Sequence, residues 1–254
     1  MSDAPNKTRR IVLGLEAQIP FHSRAIFKSF IEFVRSYGPT ELIGMGDYLD
    51  CPAPARWNRG TASEYGGNLQ REITTGVAGL QWIRDVFDGP FSVHKGNHEE
   101  RIDTYARTKA PAFADLECLT VSNLLQYDNL EIRERLPIES LAAGTGWVTS
   151  HGHLGSLSRI SGGTAMALSR RIGKSAVVGH THRLGHINST VGTKVSSGVE
   201  TGHMMDVKKA AYIKHGAPDW QAGWVAIEIT PQRNVSVTLV PVSQSGVVTF
   251  HEFR

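Results

Sequence analysis

The sequence predicts an α/β fold: two β-sheets facing each other, with helices packed outside. Over most of the chain, short apolar runs alternate with amphipathic stretches of helical period, the texture of successive βαβ units. From Leu184 that period stops, and β-type runs follow one another as a meander, with breaks at Gly, Asn or Pro-Gln. In addition, several of the front strands run into Gly and then a polar residue, so polar groups should gather at one rim of a sheet.

The elements follow in order. "RIVLGL" reads as a strand. "SRAIFKSFIEFVRSYG" reads as a helix with Ile26, Phe27, Phe30, Ile31 and Val34 on one face, Ser23 as cap and Gly38-Pro39 as stop. "ELIGMG" is a second strand. "LQREITTGVAGLQWIRDVF" is a second helix, ended by Asp88-Gly89-Pro90. "FSVHKG" is a third strand and leads into a polar helix from about Glu99. "GWVTSHG" and "SAVVGH" are further strands, joined by the amphipathic "SLSRISGGTAMALSRRIG". "HINSTV", "TKVSSG", "GWVAIEIT" and "NVSVTLVPV" form the β-rich tail. Residues 1–9 are polar and expected to fray, leaving 10–254 as one domain.

Bulk properties narrow the class. Hydrophobic residues at 40% and charged residues at 20% fit an ordinary globular protein. A net charge of +3 allows a local phosphate-binding surface without announcing a nucleic-acid binder. Cys51 and Cys118 form neither a disulfide framework nor a CxxC zinc motif. No apolar leader or spanning run is present, so a cytoplasmic protein away from membranes is the expectation. The sequence does not fix the oligomeric state.

The chemistry lies at the strand ends. "LIGMGDYLD" places Asp47 after a strand and Gly46, and "SVHKGNHEER" places Asn97 and His98 after Gly96. "VTSHGH" ends in His151, and "AVVGHTHR" carries His180 and His182 after Gly179. Glycine lets the backbone turn sharply and approach a ligand closely. Imidazoles with a carboxylate and an amide oxygen suit Mn, Fe, Zn or Ni, whereas calcium wants oxygen alone. A lone Gly-Asp is commonly a turn, and Gly-Asn-His-Glu can be a helix cap. The ordered repetition of four such blocks resists those readings.

In these blocks the chain resembles the calcineurin-like metallophosphoesterases, over about residues 10–200. Their pattern is Asp-x-His, Gly-Asp, Gly-Asn-His-Glu/Asp, a His, then Gly-His-x-His, on a two-sheet sandwich holding two metals. The closing "WQAGWVAIEIT" is similar to the last strands of small phosphoesterases from phages and bacteria. The resemblance implies that Asp47 bridges the metals and that Asn97, His151 and His180 complete one site. It assigns His182 to the other and sets His98 opposite the scissile phosphate.

The first block departs from the pattern. In "LEAQIPFHS", Glu16 stands where the family has Asp and Gln18 where it has His. Three outcomes are open: a binuclear site with Glu16 as a weak ligand, a mononuclear site, or a phosphate binder without turnover. His22 is an alternative ligand beyond Pro20, though a surface role suits it better. The expectation is therefore one or two divalent transition metals, manganese first, in a working but asymmetric site.

The reaction class implied is metal-assisted hydrolysis of a phosphate ester, leaning to phosphodiesters of nucleotides or nucleic acid. A phosphomonoesterase and a non-catalytic phosphate or nucleic-acid binder are the rivals. Arg101, directly after Gly-Asn-His-Glu-Glu, and Arg183, directly after Gly-His-Thr-His, are the candidate phosphate contacts, with His153 beside them. Trp57 and Tyr48 are candidates to stack a base, and Asp50 either backs the metal ligands or caps a turn.

Overall fold

Ile11 and Leu13 of the first strand bury into the space between two sheets, while Val12 buries on the opposite face against helices. A strand covered on both sides must be apolar throughout, which is why "IVL" runs unbroken. A computed structural model describes residues 7–66, 68–209 and 218–249. Of the stretch expected to fray, residues 1–6 lie outside the described residues, and Arg9 already belongs to a strand.

The chain order is β1 (Arg9–Gly14), α1 (Arg24–Tyr37), β2 (Glu41–Gly44), α2 (Ala62–Gly66), α3 (Leu69–Arg84), β3 (Phe91–Val93), α4 (Glu100–Lys109), α5 (Val121–Leu124) and β4 (Ile132–Glu134). It continues with β5 (Glu139–Ser140), β6 (Trp147–Ser150), α6 (Gly163–Ile172), β7 (Ser175–Val178), β8 (Leu184–Val191), β9 (Lys194–Thr201), β10 (Gly223–Ile229) and β11 (Val235–Pro241). The first sheet has the order β11-β10-β1-β2-β3-β4, and β1 to β4 run parallel. The second has the order β5-β6-β7-β9-β8, with β6, β7 and β9 parallel. The fold is thus the two-sheet α/β sandwich that the sequence predicts.

Packing explains the layers. Ile11, Leu13, Ile43 and Met45 of the first sheet meet Val177 and Val199 of the second. Helices α1 and α3 cover the outer face of the first sheet, where Phe30 and Phe33 pack on the fully buried Trp224. Truncating such a residue to Ala costs about 3–5 kcal/mol. Helix α1 is bounded as expected: the Ser23 hydroxyl accepts from the Ile26 amide at 3.4 Å, and Gly38 turns at φ 60°. On the second sheet, α6 lies over Val148, Ala176 and Val178.

Two expectations need correction. The tail is not one meander: β8 and β9 pair in the second sheet, whereas β10 and β11 extend the first, with β10 antiparallel to β1. Apolar patterning gives each hairpin but does not say which sheet edge receives it. The helix anticipated over 156–173 begins only at Gly163, because Gly162 takes φ +82° and adjacent glycines disfavour helix upstream.

Candidate metal centre

Parallel strands end together, so the loops after β1, β2, β3, β6 and β7 converge at one rim of the sandwich. Several residues there hold left-handed backbone conformations rarely adopted outside glycine: Gln18 (φ 53°), Asp47 (φ 53°), His180 (φ 68°) and His182 (φ 58°). Strain of this kind persists only where surrounding structure enforces it, and it clusters at functional sites. Gly46 itself turns at φ +94°, and a Cβ there would lie 2.6 Å from the His151 ring. The tight approach expected of these glycines is therefore real.

Asp47 is the hub. It is 1% exposed; Oδ1 accepts from the His98 backbone amide at 3.0 Å, and Oδ2 faces three imidazoles. His151 Nε2 is 3.2 Å from Oδ2, His98 Nε2 is 3.8 Å and His180 Nδ1 is 3.9 Å. His151 Nε2 also lies 3.1 Å from the Asn97 side-chain oxygen. Asp47, His151 and His180 have ligand atoms mutually within 4.8 Å, and they make the one such Asp/Glu/His/Cys group among the described residues. The sequence-predicted quartet Asp47, Asn97, His151 and His180 is thus brought together.

Whether this set fits a metal ion can be decided from the hydrogen bonds. His151 Nδ1 lies 2.7 Å from the Met45 carbonyl, so it must carry the proton and donate. In the neutral ring this leaves Nε2 with a lone pair facing the oxygens of Asp47 and Asn97, so either a second proton on the ring or a cation must bridge them. His180 Nδ1 is buried with no hydrogen-bond partner in the described structure. Such a knot of acceptors is unstable without a positive centre, and a divalent transition ion supplies one with donors it favours. The titration behaviour carries the same message. Burial opposes charge on His151, but Asp47 outweighs it and lifts the pKa to about 9. Burial likewise pushes Asp47 up, yet His151 and His98 hold it well below the usual carboxylate range.

His98 stands beside this centre. Its Nδ1 is 2.9 Å from the Asp50 carbonyl and 3.1 Å from Asp50 Oδ1, which fixes the ring with Nε2 toward Asp47. Burial disfavours its charged form, but Asp47 and Asp50 prevail and its pKa is raised. Asp50 is therefore a partner of the catalytic candidate and does not cap a turn. Arg101 donates 2.6 Å to the Asp50 carbonyl and 2.9 Å to His98 Nε2, placing its guanidinium at the site.

Other expected residues are placed less directly. Glu16 and His182 meet each other at 2.9 Å, next to the buried Gln18, and lie outside the Asp47–His151–His180 group. His153 packs 5.2 Å from the His151 ring, with Glu100 3.4 Å from its Nε2. Arg183 donates 2.6 Å to the Ser158 carbonyl, bracing that loop. Tyr48 is a correction: it is 2% exposed and donates to the Gly76 carbonyl at 2.8 Å, so it cannot stack a base. Trp57 is 61% exposed, with the guanidiniums of Arg56 and Arg101 5.1 and 5.2 Å from its ring. His22 sits apart, edge-on to Phe27.

One residue escaped the sequence reading. Glu99, 2% exposed, accepts from the amides of Gly96 (2.9 Å), Asp47 (3.1 Å) and Leu49 (2.8 Å), clamping the loops after β2 and β3 together. Burial and the nearby Asp47 raise its pKa to about 6. An acid within Gly-Asn-His-Glu was the available signal, but it reads equally as the first turn of a helix.

The architecture is that of the calcineurin-like metallophosphoesterase fold. The structure is similar over 96% of this chain and 95% of the other to vacuolar protein sorting 29 from Cryptosporidium parvum, with a TM-score of 0.53 and 14% identity, a likeness of fold. No protein-family profile matches the sequence. By sequence, the chain belongs to the family of the mycobacteriophage Gene 54 proteins. It is 34% identical over 243 residues to the Gene 54 protein of Mycobacterium phage L5, covering 92% of this chain and 94% of that protein. It is 33% identical over the same length to its counterpart in Mycobacterium phage D29.

Proposed function

We propose that the protein is a metal-dependent phosphoesterase acting on phosphodiesters of nucleotides or nucleic acid. The observation that carries this reading is the convergence, from four loops, of Asp47 Oδ2, Asn97 Oδ1, His151 Nε2 and His180 Nδ1: one carboxylate oxygen, one amide oxygen and two ring nitrogens. Those four residues would hold the ion. When bound, a divalent ion polarises the phosphoryl oxygen and lowers the pKa of a water nucleophile.

The chain's own groups supply the remainder. Asp50 orients His98, and the neighbouring carboxylates favour its protonated form, so Nε2 can deliver a proton to the leaving oxygen. Arg101 can only donate, and at present its hydrogen bond occupies Nε2. A phosphate oxygen that accepts from Arg101 would free Nε2 for that task. The preference for a nucleotide rests on Trp57, an exposed ring flanked by cations within reach of Arg101, a surface suited to a base joined to a phosphate. The free Cys51 and Cys118 suit a cytoplasmic place of action.

The test compares bis-p-nitrophenyl phosphate with p-nitrophenyl phosphate after loading with Mn. Faster, metal-dependent release from the diester, abolished in Asp47→Asn, is expected. Preference for the monoester would overturn the substrate class, and tight phosphate binding without metal-dependent turnover would overturn catalysis.

A further inference from the structure

Beside Asp47 lie Glu16 and His182, the positions at which the family resemblance would set a second ion. At this place, an amide nitrogen faces the would-be ligand atoms. Gln18 Nε2 lies 3.4 Å from Asp47 Oδ2 and 3.3 Å from His182 Nε2. Gln18 is fully buried, and its backbone is fixed on both sides. Its N–H donates to the Asp47 carbonyl at 3.0 Å, and its carbonyl accepts from Phe21 at 2.7 Å.

We propose that the protein holds a single metal ion, at Asp47, Asn97, His151 and His180, and that the Gln18 amide with the Glu16–His182 pair fills the place of a second. Gln18 directs an N–H at Asp47 Oδ2, an oxygen a cation would use, and an amide nitrogen has no lone pair to coordinate one. Turning the amide over would bring its oxygen against Asp47 Oδ2, trading attraction for repulsion. Glu16 is tied to its neighbours too, though Oε1 makes no hydrogen bond. Oε2 accepts from the His180 backbone amide at 2.8 Å, and Oε1 contacts His182 Nε2 at 2.9 Å. The extra methylene relative to Asp gives the carboxylate the reach to span both.

A consequence for the substrate follows. With one ion, only one non-bridging phosphate oxygen is gripped by metal, and the other must be held by protein donors. His98, with Nε2 3.8 Å from Asp47 Oδ2, and Arg101, hydrogen-bonded to it, are placed for this.

This inference rests on the phosphoesterase reading, and its test separates the two. The purified full-length chain is titrated with Mn, bound metal is counted by elemental analysis, and the Mn(II) electron paramagnetic resonance spectrum is recorded. One ion per chain with an uncoupled, mononuclear signal is expected. The double variant Glu16→Asp with Gln18→His should take up a second ion and show an exchange-coupled pair. Two ions on the unaltered chain would overturn this inference and leave the proposed function standing. No ion at all would overturn both. A double variant that folds, as judged by circular dichroism, yet still binds one ion would overturn the role given to Gln18 and Glu16. If that variant does not fold, the count on the unaltered chain decides by itself.

Discussion

Glu99 Oε2 accepts hydrogen bonds from the backbone amides of both Gly96 and Asp47, so the loop bearing Asn97 is tied directly to the one bearing the central carboxylate. The proposed metal ligands Asp47 and Asn97 are thus held in register by a residue outside the proposed ligand set. Replacing Glu99 with Ala strands three buried amides. It should destabilise the fold by roughly 3 kcal/mol and weaken Mn affinity about 10–100-fold. Urea unfolding and metal titration check both, and unchanged metal affinity would remove Glu99 from its positioning role.

Gly96 permits that contact. A Cβ at this position would lie 2.1 Å from Asp47 Oδ1 and 2.3 Å from the Asp47 amide. Gly96→Ala must therefore push two backbone segments apart, at a cost of about 1–3 kcal/mol. Metal binding should be lost before the fold is, and metal counts on a variant with a native circular-dichroism spectrum test this.

Glu72 gives a pH-dependent signature away from the ligands. It is 4% exposed, one of its oxygens has no partner, and burial and the neighbouring Asp50 raise its pKa to about 7. A carboxyl whose folded pKa is raised favours the folded state while protonated, and that benefit disappears as pH rises through 7. Glu72→Gln should thus be more stable than the unaltered chain at pH 8, by up to about 3 kcal/mol. The gap should close below about pH 5, where Glu72 is protonated in both folded and unfolded states. Thermal unfolding at both pH values measures it, and an equal difference at the two would refute the assignment.

Trp57 is exposed enough that removing it should leave fold and metal count alone. If its ring stacks a base, Trp57→Ala should raise KM for an oligonucleotide about tenfold or more, since such stacking contributes roughly 1–3 kcal/mol. KM for bis-p-nitrophenyl phosphate should move much less. Equal effects on both substrates would argue against base recognition.

The sequence by itself determined the sandwich class and the ordering of its front half. Buried parallel strands need unbroken apolar runs, and helices on an apolar core need a 3.6-residue period, so both leave local marks. Asp47, Asn97, His151 and His180 were legible for a similar reason, since each lies in the loop after a strand and parallel strands bring their ends to one rim. Tertiary structure alone decided which sheet each tail hairpin joins, because strand patterning marks a hairpin without naming the sheet edge that receives it. It also decided the parts played by Gln18 and Glu99. Both act through hydrogen bonds to partners tens of residues away in sequence, and a side chain's choice among distant partners is set by the packed chain, where burial removes water as the alternative.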